Sequence, residues 1–367
     1  MNTSHLHRAR LAGALRLLVL AALIVSAGCS GRQPAPTEGS LRTSHPAASP
    51  AAGGWYTLYF TDPDGPNRER LRGGPDAALA QAIRAARVSV EMAVLQLDLW
   101  SIRDALLDAQ QRGLLVRVVI ESDYRDAPEV QDLLQAGIAL LGDRREGLMH
   151  DKFTIIDRQE VWMGSMNYTV NEAYKNNNSL LHIRSRELAQ DYLAEFEEMF
   201  RDDQFGPGSP ANTPQPSLNI NGTPVSVCFS PDDGCAAQIA AVLEQARQSI
   251  DFMAYSFTSD DLAQVILDRA GAGVRVRGVM ETGQISSNSG GEYANFLKAG
   301  LDVRKDGNRA NMHHKVIIVD GRYVIVGSYN FTYNAETRND ENLLIIDSPQ
   351  IAGQYLAEFQ KVYQAAR

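Results

Sequence analysis

The sequence lacks three features that mark other classes of protein. It has only 3 cysteines in 367 residues, and none has a histidine or cysteine partner at the spacing of a zinc site. Its 35 basic and 44 acidic side chains give a net charge of −9, so the chain as a whole does not attract nucleic acid or anionic lipid. Its apolar run from Leu17 to Val25 is too short for a comfortable membrane span. The remaining composition, 44% hydrophobic and 22% charged, is that of a globular chain with room for two domains.

The N-terminus has the pattern of an export signal. Arginines between residues 8 and 16 precede the apolar run, and Ser26-Ala27-Gly28-Cys29 follows it. This segment resembles a bacterial lipoprotein cleavage box, with Ser26 where leucine is usual, and the resemblance implies that Cys29 is lipidated. We therefore expect a signal peptide at residues 1–29 and a flexible tether rich in Pro, Ala, Ser and Gly at residues 30–54. The protein is then exported, as an anchored lipoprotein facing the periplasm or cell exterior, or otherwise as a secreted protein.

The other two cysteines, Cys228 and Cys235, lie seven residues apart. In an exported protein such a pair forms a disulfide, or both are small buried side chains near a helix start. The sequence leaves both readings open.

One pattern of five residues occurs twice, and each member of the second set lies 163 positions after its counterpart. The first set and the second set are His150, Lys152, Asp157, Ser165 and Asn167, and His313, Lys315, Asp320, Ser328 and Asn330. Two histidines that face each other suit phosphodiester chemistry, because one imidazole can attack phosphorus while the other protonates the departing oxygen.

The repeat extends well beyond this pattern, so two copies of one domain are expected. Each copy alternates helical and strand-like segments, which predicts an α/β fold with a mixed or parallel sheet. In the first copy the patterns predict helices at 77–86 and 101–112, the second capped by Ser101, and strands at 88–94 and 115–120. The domains are expected at residues 55–203 and 224–367, with a proline-rich linker at 204–223.

A hairpin turn is predicted at Asp320-Gly321, between two β-branched runs. If the turn has two residues, Val319 pairs with Arg322 and His313 lies opposite Ser328. Counting across Asp157 gives the same arrangement in the first copy. His313 and Lys315 share one face of the strand because they are two residues apart.

The aspartates of the pattern are predicted to be structural. Asp320 lies five residues from Lys315, which is roughly 17 Å along a strand, too far to share a site. We therefore expect Asp157 and Asp320 to shape the turns and to bind local backbone N–H groups.

The two copies differ at one position that bears on the histidines. Glu341 lies 28 residues after His313, whereas the matching residue after His150 is Asn178. Either side chain can accept a hydrogen bond from an imidazole and fix its tautomer, but only a carboxylate raises the histidine pKa. The asymmetry predicts that the two histidines differ in basicity.

Taken together, these residues resemble the motifs of the phospholipase D superfamily, His-x-Lys-x-x-x-x-Asp followed by Gly-Ser and Asn, and the likeness covers about residues 55 to 365. It implies two duplicated α/β/α lobes related by a pseudo-twofold, with the site at their interface, a covalent phosphohistidine and no metal or other cofactor. It implies that His150 and His313 are nucleophile and general acid, with attack by His150 as in many two-copy members. Lys152 and Lys315 then bind phosphate, assisted by Asn167 and Asn330.

The substrate is the least specified property, because motif residues contact only the phosphodiester. Export beside a membrane and the acidic chain favour hydrolysis of phospholipid head groups. A metal-independent endonuclease acting on nucleic acid and a phosphatidyltransferase similar to cardiolipin synthase are the alternatives. Tyr124, Tyr255 and the three-residue insertion near Ser286 are expected to line the mouth of the site, or else to be ordinary loop residues.

Overall fold

The computed structural model describes residues 54–367. The predicted signal peptide with Cys29, and all but the last residue of the predicted tether, lie outside the described residues. Within 54–367, no helix is long and apolar enough to cross a membrane.

The first half is a seven-stranded mixed sheet flanked by helices. Its strand order is β1-β7-β6-β5-β2-β3-β4, in which β2, β3 and β4 are parallel and the other pairs are antiparallel. The strands are β1 (Tyr56–Phe60), β2 (Ser89–Val94), β3 (Leu115–Ile120), β4 (Ala139–Gly142), β5 (Lys152–Ile156), β6 (Glu160–Gly164) and β7 (Ser179–Arg184). The helices are α1 (Asn67–Arg70), α2 (Pro75–Ala85), α3 (Trp100–Gln111), α4 (Pro128–Gln135), α5 (Val170–Tyr174) and α6 (Arg186–Phe200).

The second half repeats this plan with one more strand, in the order β12-β11-β10-β13-β14-β15-β9-β8. Its strands are β8 (Ser217–Ile220), β9 (Thr223–Ser230), β10 (Ser249–Ala254), β11 (Arg275–Met280), β12 (Asp302–Lys305), β13 (Lys315–Val319), β14 (Tyr323–Gly327) and β15 (Glu341–Asp347). Its helices are α7 (Cys235–Glu244), α8 (Asp260–Gly271), α9 (Thr282–Ser287), α10 (Tyr293–Lys298), α11 (Tyr333–Thr337) and α12 (Pro349–Ala365). The two halves confirm the predicted duplicated α/β fold.

One hydrophobic core joins the halves through their last helices. Tyr192 of α6 packs against Phe229 of β9, with ring centroids 5.0 Å apart, and Tyr355 of α12 packs against Phe60 of β1 at 5.3 Å. Each helix thus packs on the sheet of its own half and also contacts the opposite half. Because Tyr192, Phe229 and Tyr355 are fully buried, sliding one half against the other exposes a large apolar area, and the halves are held in a fixed relation.

Two local expectations are wrong by a small margin. Helix α3 begins at Trp100, so Ser101 lies inside it, and its Oγ donates a hydrogen bond to Asp76 Oδ2 at 2.6 Å instead of capping the helix. Residues 217–220, assigned to the linker, form β8, because Asn221 and Gly222 both have positive φ and turn the chain back onto β9. The linker prolines concealed this hairpin.

The two cysteines of the second half are paired. Cys228 at the end of β9 and Cys235 at the start of α7 form a disulfide, with Cα atoms 5.8 Å apart. The bond ties the second half's sheet to the helix that follows it.

The motif hairpins differ from the expected register by one residue. Val319 pairs with Tyr323, and in the first half Ile156 pairs with Glu160. Three residues therefore separate the paired positions, because the residue after the left-handed Asp320-Gly321 pair is bulged out of the ladder. The count shifts accordingly, and Ser328 does not lie directly opposite His313.

Candidate active site

Each motif histidine stands just before a buried central strand, and its lysine begins that strand. Lys152 Nζ donates to the backbone carbonyl of His150 at 2.6 Å, and Lys315 Nζ does the same to His313 at 2.9 Å. All four side chains are buried, the two lysines almost completely. The alternation of the strand sends histidine and lysine to one face, so each half presents a rigid pair.

The two pairs are brought together by reciprocal backbone contacts between the halves. The His150 N–H donates to the carbonyl of Asp340 at 2.9 Å, and the His313 N–H donates to the carbonyl of Asn177 at 2.9 Å. These bonds belong to two short parallel bridges that repeat each other across the pseudo-twofold. As a result, the chain that leads into β7 or β15 of one half runs beside the histidine of the other half.

The orienting side chains therefore cross between the halves. His150 Nδ1 contacts Glu341 Oε2 at 2.6 Å, whereas His313 Nδ1 lies 3.0 Å from Asn178 Oδ1. The sequence did not indicate which of the two histidines each of these side chains orients. The hydrogen bonds at Nδ1 leave Nε2 of each imidazole for a substrate.

A carboxylate that the sequence reasoning missed completes the second pair. Glu172 Oε2, from α5, lies 3.1 Å from His313 Nδ1. Both histidines thus have a carboxylate partner, and the expectation that only one of them does is wrong. A signal for Glu172 was present in the repeat, since the matching residue of the second copy is Ala335.

The motif serines lie behind the histidines. Ser165 Oγ donates to Asn178 Oδ1 at 2.9 Å and accepts the Ser179 N–H at 3.1 Å. Ser328 Oγ accepts the Asn342 N–H at 3.0 Å and hydrogen-bonds Glu341. Both serines are fully buried, so they hold the residues that orient the imidazoles.

The motif asparagines keep hydrogen-bonding capacity. Asn167 Nδ2 donates to Glu172 Oε1 at 3.3 Å. Within the described part of the chain, the buried carboxamide oxygens of Asn167 and Asn330 have no hydrogen-bond partner. Hydrogen-bonding capacity therefore remains at this position of each half for a bound ligand.

The motif aspartates lie at the far ends of the hairpins. The Asp157 carboxylate accepts the N–H groups of three successive residues, 87–89, and the Asp320 carboxylate accepts those of residues 247–249. Asp157 and Asp320 are both in the turns, with φ near +54°. Their partners are not local, because they lie about 70 residues earlier, at the start of the neighbouring strand.

Burial and mutual charge set the protonation of the pairs. Burial lowers the pKa of His150 well below its ordinary value, and Lys152 and Lys315 lower it further. Burial lowers the pKa of His313 to about 4, against the opposing influence of Glu172. Burial also lowers the pKa of Lys152 to about 8, and burial with the charge of Lys152 lowers that of Lys315 to about 7.

The two carboxylates differ in the same environment. Burial raises the pKa of Glu341, although both lysines oppose the shift. Burial also acts to raise the pKa of Glu172, but the charge of His313 and its hydrogen bond overcome this and leave the value at about 2. Glu172 therefore keeps its negative charge more readily than Glu341 does.

Tyr255 separates the site from a neighbouring pocket. The Tyr255 ring packs edge-on against His313, with centroids 4.5 Å apart, and lies 4.8 Å from Lys315 Nζ. Tyr255 also lines a solvent-connected pocket of about 110 Å³ that includes Asn288 and Gly291 of the insertion. Tyr255 and the insertion thus lie beside the site as expected, whereas Tyr124 is a half-exposed residue in a turn after β3.

The arrangement is suited to displacement at phosphorus. Two imidazoles with fixed tautomers supply an attacking nitrogen and a proton donor, and the two lysines stabilise negative charge on phosphate oxygens. Among residues 54–367 no group of three or more His, Cys, Asp or Glu side chains is placed to hold a metal ion.

Comparison with known proteins identifies similar chains. A family model described as "Cardiolipin synthase, PLD-like domain" matches twice, at residues 79–200 and 239–363. A mitochondrial cardiolipin hydrolase of Chlamydomonas reinhardtii is 35% identical over 121 residues, which are 33% of this chain and 54% of the algal protein. A phospholipase D of Rickettsia bellii is 31% identical over 152 residues, 40% of this chain and 75% of the relative. The chain thus spans about half the length of the algal relative.

A solved structure extends the likeness in fold to both halves. The phosphatidylserine synthase of Haemophilus influenzae Rd KW20 superposes with a TM-score of 0.63 over 80% of this chain and 84% of that chain, at 17% identity. At this identity the likeness concerns the fold.

Proposed function

Because this chain belongs to the phospholipase D superfamily, we propose that it is a phosphodiesterase that hydrolyses the head-group phosphodiester of phospholipids. The observation that carries the proposal is the convergence of two histidine and carboxylate pairs and two lysines, half from each copy. Neither half holds a complete set, because each histidine takes its carboxylate from the other half.

The reaction proceeds in two displacements. In the first, His150 Nε2 attacks phosphorus, a P–N bond forms, the P–O bond to the leaving alcohol breaks, and His313 gives that oxygen its proton. In the second, His313 takes a proton from water, the water oxygen attacks phosphorus, and the P–N bond breaks. Lys152, Lys315 and the amide of Asn330 stabilise the negative charge that builds on the phosphate oxygens.

The roles of the histidines follow from their charged neighbours and from the resemblance noted above. A nucleophile must be neutral, and burial beside two lysines lowers the pKa of His150 accordingly. A general acid must hold a proton; burial lowers the pKa of His313 to about 4, and the Glu172 carboxylate opposes this shift.

The choice of phospholipid rests on two supports. The matched relatives are named phospholipase D and cardiolipin hydrolase. In addition, Trp100 is 67% exposed. It lies six residues after Val94, the last residue of β2, and Val94 pairs with Lys152 of the site. Ser101, the residue after Trp100, hydrogen-bonds to Asp76 of α2. The exposed segment Arg70-Leu71-Arg72 ends four residues before Asp76. An aromatic ring and a leucine flanked by arginines suit contact with an anionic bilayer.

We also propose that the protein is exported and anchored through Cys29. The supports are the basic and apolar N-terminal pattern and the cleavage-box resemblance. The disulfide between Cys228 and Cys235 is typical of an oxidising compartment. Labelling with radioactive palmitate, compared between the native chain and Cys29→Ala, tests the anchor, and equal labelling would refute it.

The test of the substrate is a side-by-side assay on cardiolipin and phosphatidylcholine vesicles and on single-stranded DNA, with His150→Ala as the blank. We expect release of phosphatidic acid or of phosphatidylglycerol-type products from the vesicles and no cleavage of DNA. Cleavage of DNA alone would make the protein a nuclease. Head-group exchange with added alcohol in preference to water would make it a transferase.

A further inference from the structure

We propose that Glu172 is the carboxylate partner of His313, and that it takes the role that Glu341 has toward His150. In the second half this carboxylate stands at the start of β15; in the first half it has moved to helix α5. The proposal rests on the proposed phosphodiesterase function and assigns to that site a positioning residue outside the repeated motif.

The contacts of Glu172 form a closed network around His313. Glu172 Oε2 lies 3.1 Å from His313 Nδ1 and accepts the Asn178 amide at 2.5 Å, and Oε1 accepts the Asn167 amide at 3.3 Å. A further bond joins the Asn178 amide to the backbone carbonyl of Glu172 at 3.1 Å. Only 7% of Glu172 is exposed, so the carboxylate is held at the imidazole by the protein and not by water.

The two halves place their large acidic side chain at different positions of the repeat. The first half has Glu172 and Asn178, and the second has Ala335 and Glu341 at the matching places. Ala335 and Glu341 are both fully buried, so the second half, like the first, places one acidic side chain at these two positions. Each half therefore delivers one carboxylate to the opposite histidine, by one of two routes.

Asn178 and Glu172 have different roles toward His313. Asn178 accepts a hydrogen bond from Nδ1 and fixes the ring, but a neutral amide adds no charge that stabilises an imidazolium. Glu172 supplies that charge. It therefore raises the proton affinity of His313, which donates a proton in the first displacement and removes one from water in the second.

The experiment exchanges the carboxylate between its two routes. Glu172→Gln keeps the shape and removes the charge, Glu172→Ala removes the side chain, and Glu172→Ala with Asn178→Glu rebuilds the arrangement of the second half. Glu336→Gln is the matched control, because Glu336 lies in the corresponding helix α11 but bonds Tyr329 and the Ala236 N–H. The substrate is bis(p-nitrophenyl) phosphate, whose leaving group requires little protonation.

For Glu172→Gln we expect the first burst of p-nitrophenol to persist while steady-state kcat falls about 100-fold, because water activation is impaired. Phosphoenzyme on His150 then accumulates, and it is detected at alkaline pH as an increase in the mass of the protein. The acid limb of the kcat profile moves to lower pH, since His313 without the carboxylate loses its proton more easily. The double variant restores both kcat and the limb, and Glu336→Gln changes neither.

Wild-type turnover in Glu172→Gln would overturn the proposal, as would a loss of kcat without a shift of the limb. If the double variant does not fold, the limb of Glu172→Gln alone decides. An inactive wild-type protein on this diester would instead refute the proposed function and would be recognised before any variant is compared.

Discussion

The aspartates of the repeated motif should contribute to the stability of the fold and not to turnover. Asp320 is part of the pattern, yet its carboxylate accepts the N–H groups of Arg247, Gln248 and Ser249 at 2.9, 2.7 and 2.8 Å. We predict that Asp320→Ala destabilises the fold and leaves kcat unchanged. Asp157→Ala should behave in the same way, because its carboxylate accepts the equivalent three groups.

The magnitude follows from the exposure of the three donors. Arg247 and Gln248 are exposed, so water replaces two of the lost bonds at small cost. Ser249 is buried, and its unsatisfied N–H costs about 1–3 kcal/mol. With the lost charge-assisted bonds, we expect the free energy of unfolding to fall by about 3 kcal/mol, and by roughly half of that in Asp320→Asn, which keeps one acceptor.

The pH dependence has a definite sign. Burial acts to raise the pKa of Asp320, but the three backbone N–H groups outweigh it and hold the pKa below the ordinary aspartate value. A depressed carboxyl pKa stabilises the fold above the unfolded-state value of about 3.9, and the contribution is lost as the pH falls through the lower folded-state value. The difference between wild type and Asp320→Ala should therefore shrink in acid below about pH 4.

The assay is urea unfolding at pH 7 and pH 3, with kcat on bis(p-nitrophenyl) phosphate at 25 °C and the exposed Asp64→Ala as control. A hundredfold loss of kcat with unchanged stability would refute the reasoning and return the aspartate to the chemistry.

Three further predictions concern the site. His150→Ala and His313→Ala should each abolish turnover. Phosphoenzyme should form only in the variant that retains the nucleophile, which we expect to be His313→Ala. Measurable steady-state turnover in either variant would exclude a shared site. On the basic side, kcat/KM should fall as pH rises through about 7 to 8, because burial lowers the pKa of both lysines and their loss of charge weakens anion binding; a flat profile to pH 10 would contradict those values. Trp100→Ala should raise the apparent KM on anionic vesicles about tenfold while activity on the soluble diester stays the same. The control is Val88→Ala, at an exposed apolar residue just before β2, which should change neither quantity. Equal effects of both variants would argue against the bilayer contact.

The parts of the fold that depend on local pattern were predictable. Strand β3 spans the predicted residues, and the helix predicted at 101–112 agrees with α3 to within one residue at each end. Errors arose where a tertiary contact or an unrecognised turn decided the outcome. Ser101 bonds a residue on another helix instead of capping its own, and the Asn221-Gly222 turn was hidden by the prolines before it.

The site shows a different limit of sequence reasoning. The repeated register predicted both histidines and both lysines as site residues, because residues two apart on a strand share a face. It could not identify which half supplies each orienting side chain, since that depends on the parallel bridges between Met149 and Asp340 and between Asn177 and Met312. Glu172 was missed because it lies outside the pattern, and only its absence from the second copy, where Ala335 stands, marks it.

The crossing of the carboxylates also explains how the copies were free to diverge. A histidine requires negative charge at Nδ1, and the requirement does not specify the backbone that brings it. Because α5 and the residue before β7 both approach the opposite imidazole, a glutamate at either 172 or 178 would reach the same nitrogen. A change at either position is therefore tolerated only with its complement. We accordingly expect Asn178→Glu alone, which places two buried carboxyl groups beside His313, to be more damaging than the same substitution combined with Glu172→Ala.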